Sequence, residues 1–398
     1  MNSIKVLLAS ANYPNDYYLW GPWNKEANIA IASDERIMAE IVAPLPYSLP
    51  FKFFPYNQLS RIPSLEEGPE GKIYRPRFFY LMPKQIFYRF EGSFYRRSIE
   101  GYSKKLQKPD LVHCHHVYPD GYGLIRSCKK WNVPLIVDIH RGNLFTEFLE
   151  NKSLSPKIAE TLNFASKIIC ISNEIKNLAI EYGINNKKLD IITLGINIDN
   201  FKPLDNNIIK RKLSVNEKKV ILYVGQLIKR KGLMYLIKSV SYLPNEIKKD
   251  LKVIIIGDGK EKIYLEKLCR KLDLEDIFDF IGIINRDKIP YYYSIADIFV
   301  LPSLSEGRPV VIYEAMASEC TIVASNVGGI PEQIKDGYNG FLVNSRDSNA
   351  LSDKIRYLLE NEKTMEEMKK NSRKRIINEN WTWKGYSQKI IEVYNELL

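Results

Sequence analysis

No uninterrupted apolar run in the 398 residues approaches the roughly 18 that a membrane-spanning helix needs. Five cysteines (Cys114, Cys128, Cys170, Cys269 and Cys320) are scattered without C-x-x-C spacing. Three lie in or beside strand-like apolar runs, so reduced structural thiols are expected rather than disulfides or a zinc site. The dinucleotide signature G-x-G-x-x-G fails, because Gly257-Asp258-Gly259 runs on into Lys260-Glu261-Lys262. The G-x-x-x-x-G-K-[ST] phosphate loop is missing too, which removes most support for a nicotinamide oxidoreductase or an NTPase. A D-x-D pair of the kind used to hold a metal on a nucleotide is also missing. The N-terminal IKVLLASA is short for a signal-peptide core and interrupted by Lys5, and it reads as a first buried strand. A cytoplasmic location is expected.

What is present begins with length and charge. At 398 residues two domains are expected, and the 45% hydrophobic content is that of a globular chain. The net charge of +11 is concentrated between Lys72 and Lys108, where ten Lys or Arg face only Glu91 and Glu100. Ten aromatics, from Tyr74 to Tyr102, share that stretch. Basic charge interleaved with aromatics suits an anionic membrane surface, a solvated helix whose aromatics face the core, or, least of the three, a nucleic acid.

The pattern alternates strand and helix. Apolar runs IKVLLAS (4–10), DLVHCH (110–115), PLIVDIH (134–140), KIICIS (167–172) and KLDIIT (188–193) are separated by segments with helical spacing near 84–106 and 154–165. A polar, Pro-containing stretch over 200–218 reads as a linker. Alternation then resumes with VILYVG (220–225), a helix from about Lys231, LKVIIIG (251–257), a helix from about Lys260, DFIG (279–282), ADIFVLPS (296–303), TIVAS (321–325) and GFLV (340–343). Helical spacing fills 351–398. These runs predict an α/β chain of two Rossmann-like domains facing each other across a cleft, divided at 202/203, with 384–398 returning to the first domain. Ligands of open parallel sheets sit beyond the carboxyl ends of the strands. His113, His115 and His116 lie there, but residues 113 and 115 of a strand share a face while 116 points away, so no three-His metal site is expected.

Ser305–Ala317, SEGRPVVIYEAMA, also follows a strand. Pro309 suits the first helical position, and the free amides of a helix N-terminus favour an anion such as a phosphate. Glu306 precedes that terminus, and Glu314 lies about 7.5 Å further along the axis from Pro309 at 1.5 Å per residue. Two acids flanking an anion site fit a nucleotide-sugar, with a diphosphate in the middle and hydroxyls at both ends.

This stretch resembles the E-x7-E motif of the retaining family 4 glycosyltransferases (glycosyltransferase group 1), which have the two-domain GT-B fold. YVGQLIKRKGLMYLI, DFIGIINRDKIPYYYSIADIFVLPSLSEG, NVGGIPEQIKDGYNGFLV, ISNEIK and LGINIDNF resemble further segments of that family, in its order, over nearly the whole chain. The resemblance implies that Glu306 accepts hydrogen bonds from the donor sugar, with the backbone of Gly307, Arg308, Val310 and Val311 nearby. It implies that Glu314 holds the ribose, that Lys231 neutralises the pyrophosphate and that Ile283 lies near the base. His140, at the end of PLIVDIH, would face the donor sugar, and Gly21 would let the backbone approach the phosphates. Gln226 stands where the family often has Arg; Gln donates a hydrogen bond but brings no charge, so Lys229, Arg230 or Arg308 would supply it.

The expected reaction is retaining transfer of a sugar from a nucleotide-diphosphate donor to a hydroxyl of a polysaccharide, lipid-linked or envelope-glycan precursor, without a metal cofactor. Substrate would sit between the domains, and hinge closure around 200–218 would belong to the cycle. A sugar-nucleotide epimerase or a phosphorylase shares the same fold and stays open as an alternative. A non-enzymatic nucleic-acid binder is suggested only by the charge, and no nucleic-acid partner is expected.

Overall fold

The computed structural model describes residues 3–15, 21–47, 59–79, 84–140, 150–212, 215 and 218–398. The chain divides into two units, Met1–Leu194 with Trp383–Leu398, and Gly195–Thr382. The first change of unit therefore falls earlier than the expected 202/203, and the second falls between Thr382 and Trp383.

The first unit carries strands β1 (Ile4–Ala9), β2 (Ile37–Val42), β3 (Leu45–Tyr47), β4 (Leu65–Gly68), β5 (Gly71–Tyr74), β6 (Arg77–Phe79), β7 (Leu111–Cys114), β8 (Leu135–Ile139), β9 (Lys167–Cys170) and β10 (Leu189–Ile191). Eight of these make one sheet in the order β10-β9-β8-β7-β1-β2-β5-β4, and β3 pairs with β6 beside it. Every pairing in the eight-stranded sheet is parallel except β4 with β5. A parallel sheet is covered by helices on both faces, so its strands are apolar throughout rather than alternating. Accordingly every residue of β7 and β8 is buried, and the polar His113 and Asp138 among them must find partners inside. Three helices matter below: α1 (Pro22–Ala32), α2 (Lys84–Tyr102) and, from the far end of the chain, α6 (Trp383–Leu397).

The second unit has six parallel strands, β11 (Lys219–Val224), β12 (Leu251–Ile256), β13 (Phe278–Gly282), β14 (Ile298–Leu301), β15 (Thr321–Ser325) and β16 (Gly340–Val343). Their order is β13-β12-β11-β14-β15-β16, so the winding reverses between β11 and β14. That reversal opens a crevice at the carboxyl ends of these two strands. Helices α3 (Leu233–Ser241), α4 (Ile289–Ile295) and α5 (Val310–Ala317) surround it.

Several expectations need adjustment. The linker over 200–218 contains a helix, Asn206–Lys212, which the polar composition concealed. α3 begins at Leu233 rather than Lys231, because Lys229–Lys231 form a 3-10 turn and Gly232 breaks it at φ 63°. A Cβ on Gly232 would stand 2.0 Å from the carbonyl oxygen of Pro302, so both conformation and space demand glycine there. β2, β4 and β5 escaped notice because their burial is mixed; β2's IMAEIV and β5's GKIY each end in a buried apolar pair, too short a run to signal a strand.

In the basic aromatic stretch, many of the described rings and cations are engaged within the fold. Tyr74, Phe78 and Tyr95 are buried, and Phe79 packs edge-on against Phe94. Of the stretch's aromatics whose exposure is described, only Phe90 is exposed. Arg75 is buried against Glu66 at 3.1 Å, Arg96 lies over the Tyr122 ring, and Arg77 donates to the carbonyls of Leu59 and Ile62. Tyr80 and the side chains of residues 84–89 lie outside the described residues.

Candidate active site

Lys231 and Glu306 leave their strands on either side of the winding reversal, one after β11 and the other after β14. Lys231 Nζ donates to Glu306 Oε1 at 2.6 Å, and Ser303 Oγ donates to the same oxygen at 2.7 Å. Arg230 Nη1 reaches Oε2 at 3.3 Å and the Ser305 carbonyl at 2.7 Å. Burial alone would raise the Glu306 carboxyl, but Lys231, Ser303 and Arg230 more than offset it, and the group is held below the usual glutamate range. A carboxylate has about four acceptor positions. Oε1 is filled, whereas among the described residues Oε2 carries only the longer Arg230 bond and keeps room for another donor. Arg230 is one of three residues expected to supply the charge that Gln226 lacks, whereas Ser303 is a site residue that motif reasoning missed, since it lies outside the E-x7-E spacing.

Beyond Glu306 the chain turns into α5. Pro309 stands at the N-cap, with φ −69° and ψ 123°, one residue before the helix rather than inside it. The amides of Gly307, Arg308, Val310 and Val311 donate to no acceptor among the described residues. Gly307, Arg308 and Val310 are buried. Buried amides are nearly always paired, so this group marks a place where an acceptor belongs. The Gly307 carbonyl is occupied, receiving the Gly329 amide at 2.6 Å, which ties this loop to the one after β15.

Glu314 is the one acid in the eight-residue α5, VVIYEAMA, which is buried over nearly its whole length. Its Oε2 accepts from the Tyr293 hydroxyl of α4 at 2.8 Å, and Arg286 stands 3.8 Å from Oε1. Burial and the neighbouring Glu314 push the Tyr293 phenol well up, so it acts as a donor. Ile283, after β13, is 78% exposed, and Ile281 on that strand is 41% exposed. They form an apolar spot at the carboxyl end of the sheet.

Arg308 does not supply a free cation. Its Nη1 meets Glu332 Oε2 at 2.5 Å, its Nε meets the Tyr313 hydroxyl, and its guanidinium lies 5.1 Å above the Trp381 ring. Positive charge near the orphaned amides therefore comes from Arg230 and Lys231. Gln226 contributes no charge, and its carbonyl receives the Tyr223 hydroxyl at 2.9 Å.

In the first unit, Gly21 caps α1 with φ 76°. A Cβ there would lie 2.0 Å from the Asn12 carbonyl oxygen, so the glycine is required by its own loop. His140 follows β8, with its side chain 17% exposed and its Nε2 3.6 Å from Asp138 Oδ2. Burial, aided by His116, His115 and His113, pushes its pKa down to about 3 against the pull of Asp138, leaving a neutral imidazole. Arg141, Gly142 and Asn143 lie outside the described residues.

Residues 205–375 match the sequence model of "Glycosyl transferases group 1", and residues 59–200 match that of "Glycosyltransferase Family 4". The chain belongs to the group 1, family 4 glycosyltransferases. An uncharacterized glycosyltransferase of Methanocaldococcus jannaschii is 27% identical over 73% of this chain and 76% of its own length. The Escherichia coli UDP-Gal:alpha-D-GlcNAc-diphosphoundecaprenol alpha-1,3-galactosyltransferase is 28% identical over 69% of this chain and 72% of its own. Among solved structures, Anabaena HepE in complex with UDP and glucose superposes with TM-score 0.76 at 20% identity, covering 99% of this chain and all of its own. Sucrose-phosphate synthase from Thermosynechococcus elongatus superposes with TM-score 0.81 at 20% identity, covering 99% of each chain. These neighbours share the GT-B fold, two Rossmann-like halves with parallel sheets.

Proposed function

We propose that this family 4 member transfers a sugar, with retention of anomeric configuration, from a nucleotide-diphosphate donor to a hydroxyl of a glycan or lipid-linked acceptor. The observation that carries this reading is the group of four unpaired amides at Gly307, Arg308, Val310 and Val311, beside two cations and between two buried glutamates. Amides at a helix N-terminus bind phosphate, and Lys231 and Arg230 add the charge that a departing diphosphate requires. No metal ion is called on for this step.

Glu306 Oε2 accepts from a donor-sugar hydroxyl and Glu314 from the ribose. The spot at Ile281 and Ile283 covers one face of the base, and His140 offers the sugar a neutral imidazole. The new glycosidic bond forms on the face from which the bond to phosphate breaks. The acceptor's proton passes to the departing phosphate oxygen, as the family's retaining chemistry implies. A uridine nucleotide is the first donor to test, since HepE was solved with UDP and UDP-glucose and the E. coli relative is named for UDP-Gal. That enzyme is also named for a lipid diphosphate acceptor, which makes a lipid-linked glycan the first acceptor class to try.

The deciding measurement is a thermal-shift titration with UDP, GDP and ADP, each free and as its sugar derivative. A ligand that binds only the folded chain raises Tm by mass action. Stabilisation by one nucleotide family, lost in Lys231→Ala, supports the reading. No stabilisation by any of the three overturns it.

A further inference from the structure

His113 and His115 flank Cys114 at the end of β7, while Asp138 and His140 flank Ile139 at the end of β8. The strands are paired in parallel with His113 beside Ile136 and Cys114 beside Val137, so the two-residue period puts these four polar side chains on one face. Asp138 Oδ1 accepts from His113 Nε2 at 2.7 Å, and His113 Nδ1 meets the Tyr394 hydroxyl of α6 at 2.8 Å. The other carboxylate oxygen, Oδ2, faces His115 Nδ1 at 3.2 Å and His140 Nε2 at 3.6 Å.

The His115 ring is held from its far side as well. Nε2 lies 2.6 Å from the Asn28 side-chain carbonyl oxygen of α1. In the tautomer that donates Nε2–H to that oxygen, Nδ1 turns a lone pair towards Asp138. His140 Nε2 is buried and has no hydrogen-bond partner among the described residues. Two imidazole nitrogens and a carboxylate oxygen thus converge, all within 4.8 Å of one another. Nitrogen and oxygen ligands 2.0–2.1 Å from a tetrahedral zinc ion stand about 3.4 Å apart, and the two separations to Oδ2 fall on either side of that edge.

We propose that His115, Asp138 and His140 form a site for a divalent transition-metal ion of the zinc type. Asn28, His113 and Tyr394 orient its ligands from behind. Two imidazoles and a carboxylate make a recognised donor set for such ions, and hydrogen bonds behind metal-binding histidines and carboxylates fix their orientation. The protonation states agree with the geometry. Burial holds both His115 and His140 below the ordinary histidine range, and the surrounding imidazoles hold Asp138 far below the ordinary carboxyl range despite its burial. Neutral imidazoles and an ionised carboxylate are what a cation binds. The partly exposed edge of His140 leaves a fourth position for water.

One consequence rests on the proposed function, whereas the binding itself does not. If His140 serves the donor sugar, an ion on its Nε2 competes for that imidazole, and the ion slows transfer. The test uses the full chain, dialysed against chelator and titrated with Co²⁺, whose visible absorption reports low-coordinate nitrogen and oxygen ligands. One equivalent should produce the absorption, and Zn²⁺ should bleach it. His140→Ala should abolish it. Asn28→Ala, which releases the His115 ring, should weaken binding roughly 10- to 100-fold. His116→Ala, whose Nδ1 is engaged 2.8 Å from Asp120, should leave it unchanged. Circular dichroism checks that each variant is folded, and His140→Ala disturbs the interior least. Absence of a saturable cobalt spectrum in the wild type overturns the site, as does an unchanged affinity in folded His140→Ala. Stoichiometric Zn²⁺ with undiminished transfer would keep the site and remove His140 from the donor sugar.

Discussion

Lys231 and Glu306 have to be understood as a pair. The family's motif assigns one to the diphosphate and the other to the sugar, yet their charged atoms are 2.6 Å apart and both side chains are largely buried. Removing one partner leaves the other's charge uncompensated, which costs more than the pair's net worth. Lys231→Ala should therefore lower turnover about 10²- to 10³-fold and also reduce stability. Steady-state kinetics and urea denaturation on one preparation separate the two effects. Glu306→Gln tests the charge by pH. The folded-state pKa of Glu306 is depressed, so its contribution is fully present above the unfolded value of about 4.3 and is lost as pH falls through the lower folded value. The gap in urea midpoint between wild type and Glu306→Gln should be wide at neutral pH and close in acid below that window. A gap that stays constant would mean the carboxylate is not held by its cations.

At the scale of elements, α5 shows what the sequence discloses and what it hides. Pro309, the two glutamates and the preceding strand disclose a helix mouth suited to an anion. The partners of Glu314 are hidden, because Tyr293 sits 21 residues upstream on α4 and only the fold brings it to 2.8 Å. The same holds for Asp138, which lies within the apolar run PLIVDIH, and whose meaning depends on strand register with His113 and His115. Parallel strands announce themselves as apolar runs, so eleven of the sixteen could be placed in advance, but β2 to β6 carry mixed burial and only register with neighbours defines them. The basic aromatic stretch is hard to read for a related reason. Composition counts its rings and charges without saying which face of α2 or β6 they occupy. Glu314→Ala should weaken nucleotide binding about tenfold or more and cost roughly 1–3 kcal/mol of stability, since the Tyr293 hydroxyl loses its buried acceptor. Glu314→Gln keeps an acceptor for Tyr293 and should restore most of the stability without restoring all the affinity. Calorimetry and thermal melts distinguish these outcomes.

At the scale of the whole molecule, the chain closes the first unit with its own last helix. α6 buries Tyr386, Ile390, Ile391, Val393 and Tyr394, and Trp383 Nε1 donates to Glu26 Oε2 on α1 at 3.0 Å. Burial of side chains of this size contributes roughly 1.5–3 kcal/mol each, which exceeds the margin of many domains when summed over the helix. Lys167 adds a tie at the edge of the sheet, bridging Asp190 at 2.9 Å and Glu396 at 2.8 Å. Deleting Trp383–Leu398 should thus unfold or loosen the first unit while leaving the second folded, because residues 195–382 carry their own sheet and core. Hydrogen exchange locates the damage: amides of β7, β8 and α1 should lose protection, and those of β11, β14 and α5 should keep it. Uniform loss across both sheets would show that the units fold as one. Tyr394→Phe is the subtler form of the same test. It removes only the hydroxyl on His113, so the helix stays docked while the buried chain of hydrogen bonds to Asp138 is cut at its outer end. Stability should fall by about 1 kcal/mol, and the cobalt affinity of the β7–β8 cluster should fall with it if the C-terminal helix helps hold those ligands in place.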